Sequence, residues 1–276
     1  MTTTGPGTVP PLPEACASWC RAQPPTVMVA DEYVEVDLDL WHDRFALHGI
    51  DLLLRGGGPD GETTDTGTAY LRRSDLWAAG RRARGSLEEA VTALYMCAAW
   101  LSAHPTRSGI TRRFPDFRVP RRRDGSRWQH TSADGFPLVL YEVVDLVDSP
   151  GEALNLLKYG APWGRGAGGV PDLGYPLASL YLSSLAMAWS DQWIVPVDPA
   201  GVGTLIHAGW TEVDSFSRLT PRRFERYQEV VHTWAAQSGV DPLVVEMWLV
   251  RAWHERCALN SPWAASIQVP RGRRSP

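Results

Sequence analysis

The sequence predicts a mainly α-helical protein with a small β element near its N-terminus, and two observations carry that prediction. From Ser86 onward, helix starts recur in one form: a Ser, Thr or Asp cap, followed at once by Pro or three residues later by Glu. Upstream, "EYVEVDLDL" sets Val34, Val36, Leu38 and Leu40 against Glu35, Asp37 and Asp39, the period of two of a half-buried strand with an acidic face.

The elements follow in order. "MTTTGPGTVPPLPEA" is rich in Pro, Thr and Gly, with neither a basic nor an apolar leader region, so residues 1–26 are expected to be a disordered tail. "WHDRFALHG" reads as a short helix stopped by Gly49, and "RGGGPDGETTDTGT" as a loop. "TAYLRRSDLWAAGRR" is a helix or turn segment. "SLEEAVTALYMCAAWL" opens on a capping box, Ser86 with Glu89, and continues as a strongly apolar helix. The Pro-broken, basic run from His104 to His130 has no apolar period and is expected to be a long exposed loop. "FPLVLYEVVDLV" carries a helical stripe. "SPGEALNLLKYG" has Ser149 as cap, Pro150 in the first turn and Gly160 as stop. Helices are then predicted after Asp198–Pro199, Thr220–Pro221 and Asp241–Pro242. The body of the protein is placed at 27–265, and 266–276 is a basic C-terminal tail.

Composition bounds the function. At 276 residues, 44% hydrophobic and 21% charged, the chain falls in the range of globular proteins and has ample length for a core. No run approaches the ~18–20 apolar residues of a spanning helix, so no membrane partner is expected. The four cysteines lack CxxC spacing, which predicts reduced thiols, a cytoplasmic location, and neither a metal site nor another cofactor. The formal net charge is −4, against a general nucleic-acid binder, yet every basic side chain except Lys158 is Arg. These cluster in "LRRSD", "GRRARG", "TRRF", "PRRRDGSR" and "TPRRF". Arginine suits bidentate contacts to phosphate and stacking on bases. The bland reading of the bias is a genome-wide preference for Arg over Lys, and the clustering keeps nucleic-acid binding open without establishing it.

The most informative stretch is "GGVPDLGYPLASLYLSSLAMAWSDQWIVPVD", Gly168 to Asp198. Val170, Pro171, Asp172, Leu173 and Gly174 have the form of a turn between two helices, with Gly174 permitting a positive φ. Such a turn offers backbone N–H groups at a helix start to a phosphate. A helix over 175–189 is about 22 Å long, and an extended 190–198 reaches back up to about 30 Å. Asp198 can therefore return to the hairpin end. As cap of the next helix its carboxylate sits among free N–H groups that favour the ionised form.

This unit resembles the helix-hairpin-helix DNA glycosylase superfamily, especially its 8-oxoguanine DNA glycosylase branch. There "LPGVG" is followed by a helix, and an "hPVD" segment supplies the catalytic aspartate; "VPDLG" and "VPVD" (195–198) correspond here. The similarity covers roughly 70–265 and is concentrated in the hairpin-to-Asp unit. It implies a two-lobed helical bundle with a helix-hairpin-helix, and a double-stranded DNA partner carrying a modified base. The implied chemistry is hydrolysis of an N-glycosidic bond with Asp198 as the key carboxylate. The chain departs from the family twice. Asp172 replaces a hairpin glycine and puts a negative charge where phosphate would lie. The Schiff-base lysine position falls on Pro176 or, in a later register, Leu180. Lys158 is then the one candidate for a displaced nucleophile, the alternative being a lysine near a helix C-terminus. Members of the superfamily without that lysine hydrolyse the bond using the Asp alone. A flipped base needs a stacking partner, for which Trp193, Trp248 and Trp253 are candidates, although a Trp at helical spacing is more often core.

The remaining signals are weaker. The histidines are scattered, and "GRGAGG" (164–169) has neither a preceding strand nor a following G-K-[ST]. Three readings stay open: a monofunctional glycosylase-like enzyme, a non-catalytic DNA- or protein-binding protein of the same fold, and a helical scaffold.

Overall fold

The computed structural model describes residues 9–23, 27–107, 114–119, 131–146, 148–160, 169–189 and 193–259. These form a mainly helical protein with one four-stranded antiparallel sheet, in which β1 (Tyr33–Asp37), β2 (Gly56–Gly57), β3 (Thr63–Thr64) and β4 (Thr68–Arg72) lie in the order β1-β4-β2-β3. The basic tail 266–276 and most of the Gly-rich run 164–169 lie outside them.

The N-terminal region corrects the first expectation. Residues 9–23 are packed, with α1 (Glu14–Ala22) burying Cys16, Ala17 and Cys20 against the C-terminal helices. The Pro13 carbonyl accepts from Cys16 N at 2.9 Å to start the helix, and Trp234 Nε1 donates to Pro10 O at 2.9 Å. Proline prevents helix before residue 14 but does not prevent docking.

After a short turn, α2 (Val27–Ala30), comes β1 (Tyr33–Asp37), which pairs with β4 (Thr68–Arg72). Val34 and Val36 face Leu71 and Ala69 on the buried side, while Tyr33, Glu35 and Asp37 face outward. The strand ends three residues earlier than the alternation predicts. The Asp37 carboxylate accepts from Leu40 N at 3.0 Å and caps α3 (Leu38–Leu47), so Leu38 is buried but Leu40 is exposed. The loop expected at 55–68 contains β2 (Gly56–Gly57) and β3 (Thr63–Thr64). A side chain at Gly56 would stand 2.9 Å from Ala69 Cβ, so only glycine lets β2 lie against β4.

The helical body forms around α5 (Leu87–Ala103), apolar on all sides and buried continuously from Val91 to Leu101 except at Thr92. Ser86 Oγ accepts from Glu89 N at 3.2 Å, as the sequence predicts. Against it lie α4 (Arg73–Ala83) and α8 (Tyr175–Trp189). The last two cross closely: any side chain at Gly80 would run into the Ser184 carbonyl.

The stretch expected as an exposed loop after His104 is partly interior. Arg107 and Phe117 are buried, and Phe114 stacks near Tyr95 at 5.9 Å. Aromatic side chains can join a core without a helical period, which is why periodicity missed them. The core continues through α6 (Val139–Glu142), a 3-10 turn at Val143–Leu146, and α7 (Pro150–Tyr159). Ser149 caps α7 with its carbonyl, which accepts from Ala153 N at 2.9 Å, and makes no side-chain cap bond. Three more helices follow: α9 (Pro199–His207), α10 (Pro221–Ser238), stopped by Gly239 at φ 68°, and α11 (Pro242–Leu259). No helix among the described residues is long and apolar enough to cross a membrane.

Candidate functional site: the turn before α8 and the return to Asp198

The turn at Pro171–Asp172 is docked on the C-terminal end of α7. Val170 N donates to Leu157 O at 2.7 Å, and a side chain at Gly169 would collide with the Leu157 and Lys158 carbonyls. The residue with positive φ is Asp172, at 54°, rather than Gly174 as the sequence suggests. Aspartate tolerates the left-handed region better than most residues. Asp172 is exposed, whereas the Val170 and Leu173 side chains are buried, so only the backbone of those two remains for a ligand. The Gly174 carbonyl accepts from Ala178 N at 2.9 Å and so opens α8.

Lys158, the sole lysine, belongs to this turn. Its Nζ donates to Leu173 O at 2.8 Å and lies 4.4 Å from the centre of the Tyr175 ring. Tyr175 Oη and Tyr159 Oη are 3.1 Å apart. Burial lowers the Lys158 pKa. The amine thus straps the end of α7 to the start of α8, a structural task that a compact three-donor charge performs well.

Side chains from α8 and α10 serve the backbone of the return segment 193–198, whose last residue, Asp198, is extended. Gln228 accepts from Val195 N and donates to Val195 O, both at 2.8 Å, taking the place of a neighbouring strand. Tyr227 Oη donates to Pro196 O at 3.0 Å, and Ser179 Oγ accepts from Val197 N at 2.9 Å. His232 Nε2 pairs with Trp193 O at 2.8 Å. The Ser179 contact fixes where the segment ends. Ser179 is five residues beyond Gly174, about 7.5 Å along a helix rising 1.5 Å per residue. Asp198 follows directly, and its Oδ1 accepts from Ala200 N at 2.7 Å to cap α9. It is 3% exposed.

Beside Asp198 lies a buried ionic network that sequence reading missed. Glu246, fully buried in α11, pairs with Arg107 through both carboxylate oxygens and with Arg73 Nη2 at 2.9 Å. Glu32 contacts Arg73, Arg107 at 3.3 Å and His104 at 3.1 Å. Both guanidinium groups lie over the Trp100 ring, at 5.5 and 5.4 Å. Burial works against the charge on Arg107, but Glu246, Glu32 and also Asp198 outweigh it and keep it protonated. Burial likewise opposes ionisation of Glu246, and Arg107 and Arg73 win, holding its pKa below the usual carboxylate range. The available signal was Glu246 itself, one carboxylate inside the apolar run "LVVEMWLV".

The three tryptophans pack against different elements. Trp193 meets Trp77 of α4 edge-on at 6.5 Å, Trp248 meets Trp234 of α10 at 6.4 Å, and the Trp253 ring covers Gly203 of α9. All three are half-buried. The described cavities lie around the sheet and the start of α5, and neither Asp198 nor Lys158 lines them. Among the described residues no group of His, Cys, Asp and Glu could hold a metal ion. No family model, curated protein or solved structure matches the chain.

Proposed function

We propose that the chain is a DNA glycosylase-like protein that recognises a modified base in double-stranded DNA and hydrolyses its N-glycosidic bond. In this reading α7, the turn at 170–174 and α8 form a helix-hairpin-helix, within a two-lobed arrangement of the helices. Backbone N–H groups at the start of α8 hold a phosphate. The Asp198 carboxylate stabilises positive charge developing on the sugar carbon and orients water. Catalysis is monofunctional, because Pro176 and Leu180 cannot form an imine and Lys158 is engaged by Leu173 O. The observation that carries the reading is the course of 193–198, which runs back along α8 and delivers one carboxylate beside the helix that follows the turn.

A second reading, a non-catalytic DNA- or protein-binding protein of the same fold, draws support from the 3% exposure of Asp198 and from the exposed negative charge of Asp172. The two are separated by incubating the protein with duplexes carrying 8-oxoguanine, uracil and alkylated purines, with and without alkali. Asp198→Asn is the comparison, because Asn caps a helix as well as Asp does. Base release by the wild type, lost in the variant, supports hydrolysis. Salt-sensitive binding without release supports the second reading, and absence of duplex binding overturns both DNA-based readings.

A further inference from the structure

The Gly-rich stretch after Arg55 does more than connect strands. With β4 and α4 it lines an open cavity of about 340 Å³, within the usual size range of small-molecule sites, roughly 300–1,000 Å³. Three arginines line it, Arg55, Arg72 and Arg82, against a single carboxylate, Asp75. That carboxylate is committed to α4, accepting from Arg72 N at 2.8 Å. Arg82 is oriented by Nε on Glu89 at 3.1 Å and Nη1 on the Ala78 carbonyl at 3.3 Å. Arg55 Nε stands 4.0 Å from Asp65, beyond hydrogen-bond reach. A guanidinium carries five N–H donors, so Arg82 keeps donors beyond these two bonds, and the three arginines together can meet an anion in the opening.

The cavity also has a flat wall. Tyr70 lines it half-exposed, its ring held edge-on by Tyr33 at 5.5 Å. Gly57 lies opposite Tyr70 in the strand register, so both face the same side, and with no side chain at 57 the flank of the ring stays open. We propose that this cavity binds a small phosphate ester bearing a flat ring, of mononucleotide size, with the phosphate on the arginines and the ring on Tyr70. Such a group is carried by a free mononucleotide or by the phosphorylated end of a DNA strand. The site shares no residue with the turn or Asp198, so it stands or fails independently of the glycosylase reading.

The test is calorimetric titration at fixed ionic strength. The ligands are the four 5′-deoxynucleoside monophosphates, their nucleosides, and a short single strand with and without a 5′-phosphate. Arg72→Gln removes a charge at the cavity. Gly57→Leu fills it: Gly57 does not use a positive φ, and an added Cβ meets only the Tyr70 carbonyl at 3.7 Å. Thermal unfolding confirms that both variants fold. We expect the phosphorylated form to bind at least tenfold more tightly than its unphosphorylated counterpart, and each variant to lose tenfold or more. Binding of the mononucleotides assigns a free ligand, and binding of the phosphorylated strand alone assigns a strand end. The proposal is overturned if phosphate makes no difference, if either folded variant binds like the wild type, or if no ligand binds.

Discussion

In the proposed reading Asp198 carries two tasks on one side chain, and they can be separated. Its cap on α9 is a hydrogen-bond acceptor role that asparagine retains and alanine loses. Asp198→Ala should therefore cost about 0.5–2 kcal/mol more than Asp198→Asn in urea denaturation, whereas both should abolish base release. Lys158 makes the opposite case: the amine is engaged by Leu173 O and the Tyr175 ring. Borohydride trapping with modified duplexes should yield no covalent adduct, and Lys158→Met should speed amide exchange across 170–175. Both residues were named from sequence, for different reasons. The cap that Asp198 makes on α9 was legible because an Asp-Pro helix start is a local property. The partner of Lys158 was not, because it depends on how the turn folds back onto α7.

Helices and strands were legible to the extent that their ends are set by local chemistry. Thr220, Gly239 and Ser86 act where the sequence put them. The alternation at 33–40 misled because Asp37 caps a helix, and a cap interrupts a pattern without changing residue types. Close helix crossings leave a fainter trace. Gly80 sits mid-helix against the Ser184 carbonyl of α8, so Gly80→Val should destabilise by about 1–3 kcal/mol through overpacking. Equilibrium unfolding measures it directly, and a neutral outcome would mean that α4 and α8 are not in contact there.

Across the whole molecule, the Glu32–Arg73–Arg107–Glu246 network ties the start of the sheet to the last described helix. Arg73 and Glu246 are separated by 173 residues, which no local pattern could have joined. Removing one partner leaves a buried charge unpaired, so Glu246→Gln should cost about 3–5 kcal/mol in denaturant unfolding. The network also sets an acid limit. Burial opposes ionisation of Glu32 and Glu246, but the arginines outweigh it and depress both pKa values. A carboxylate depressed in the folded state stabilises fully above its unfolded value, about 4.3, and that stability is lost as pH falls through the folded value. Melting temperature should hold to about pH 5 as far as these groups are concerned and fall below about pH 4. The fall should be shallower in Glu246→Gln.

The central claim is that the Asp198 carboxylate faces a position where a sugar becomes positively charged. It can be tested without knowing the base, by comparing duplexes that carry a cationic pyrrolidine at the abasic position with duplexes that carry its neutral tetrahydrofuran counterpart. Wild-type protein should bind the cationic duplex at least tenfold more tightly, and Asp198→Asn should erase the difference. Equal affinity of the wild type for the two duplexes would contradict the account.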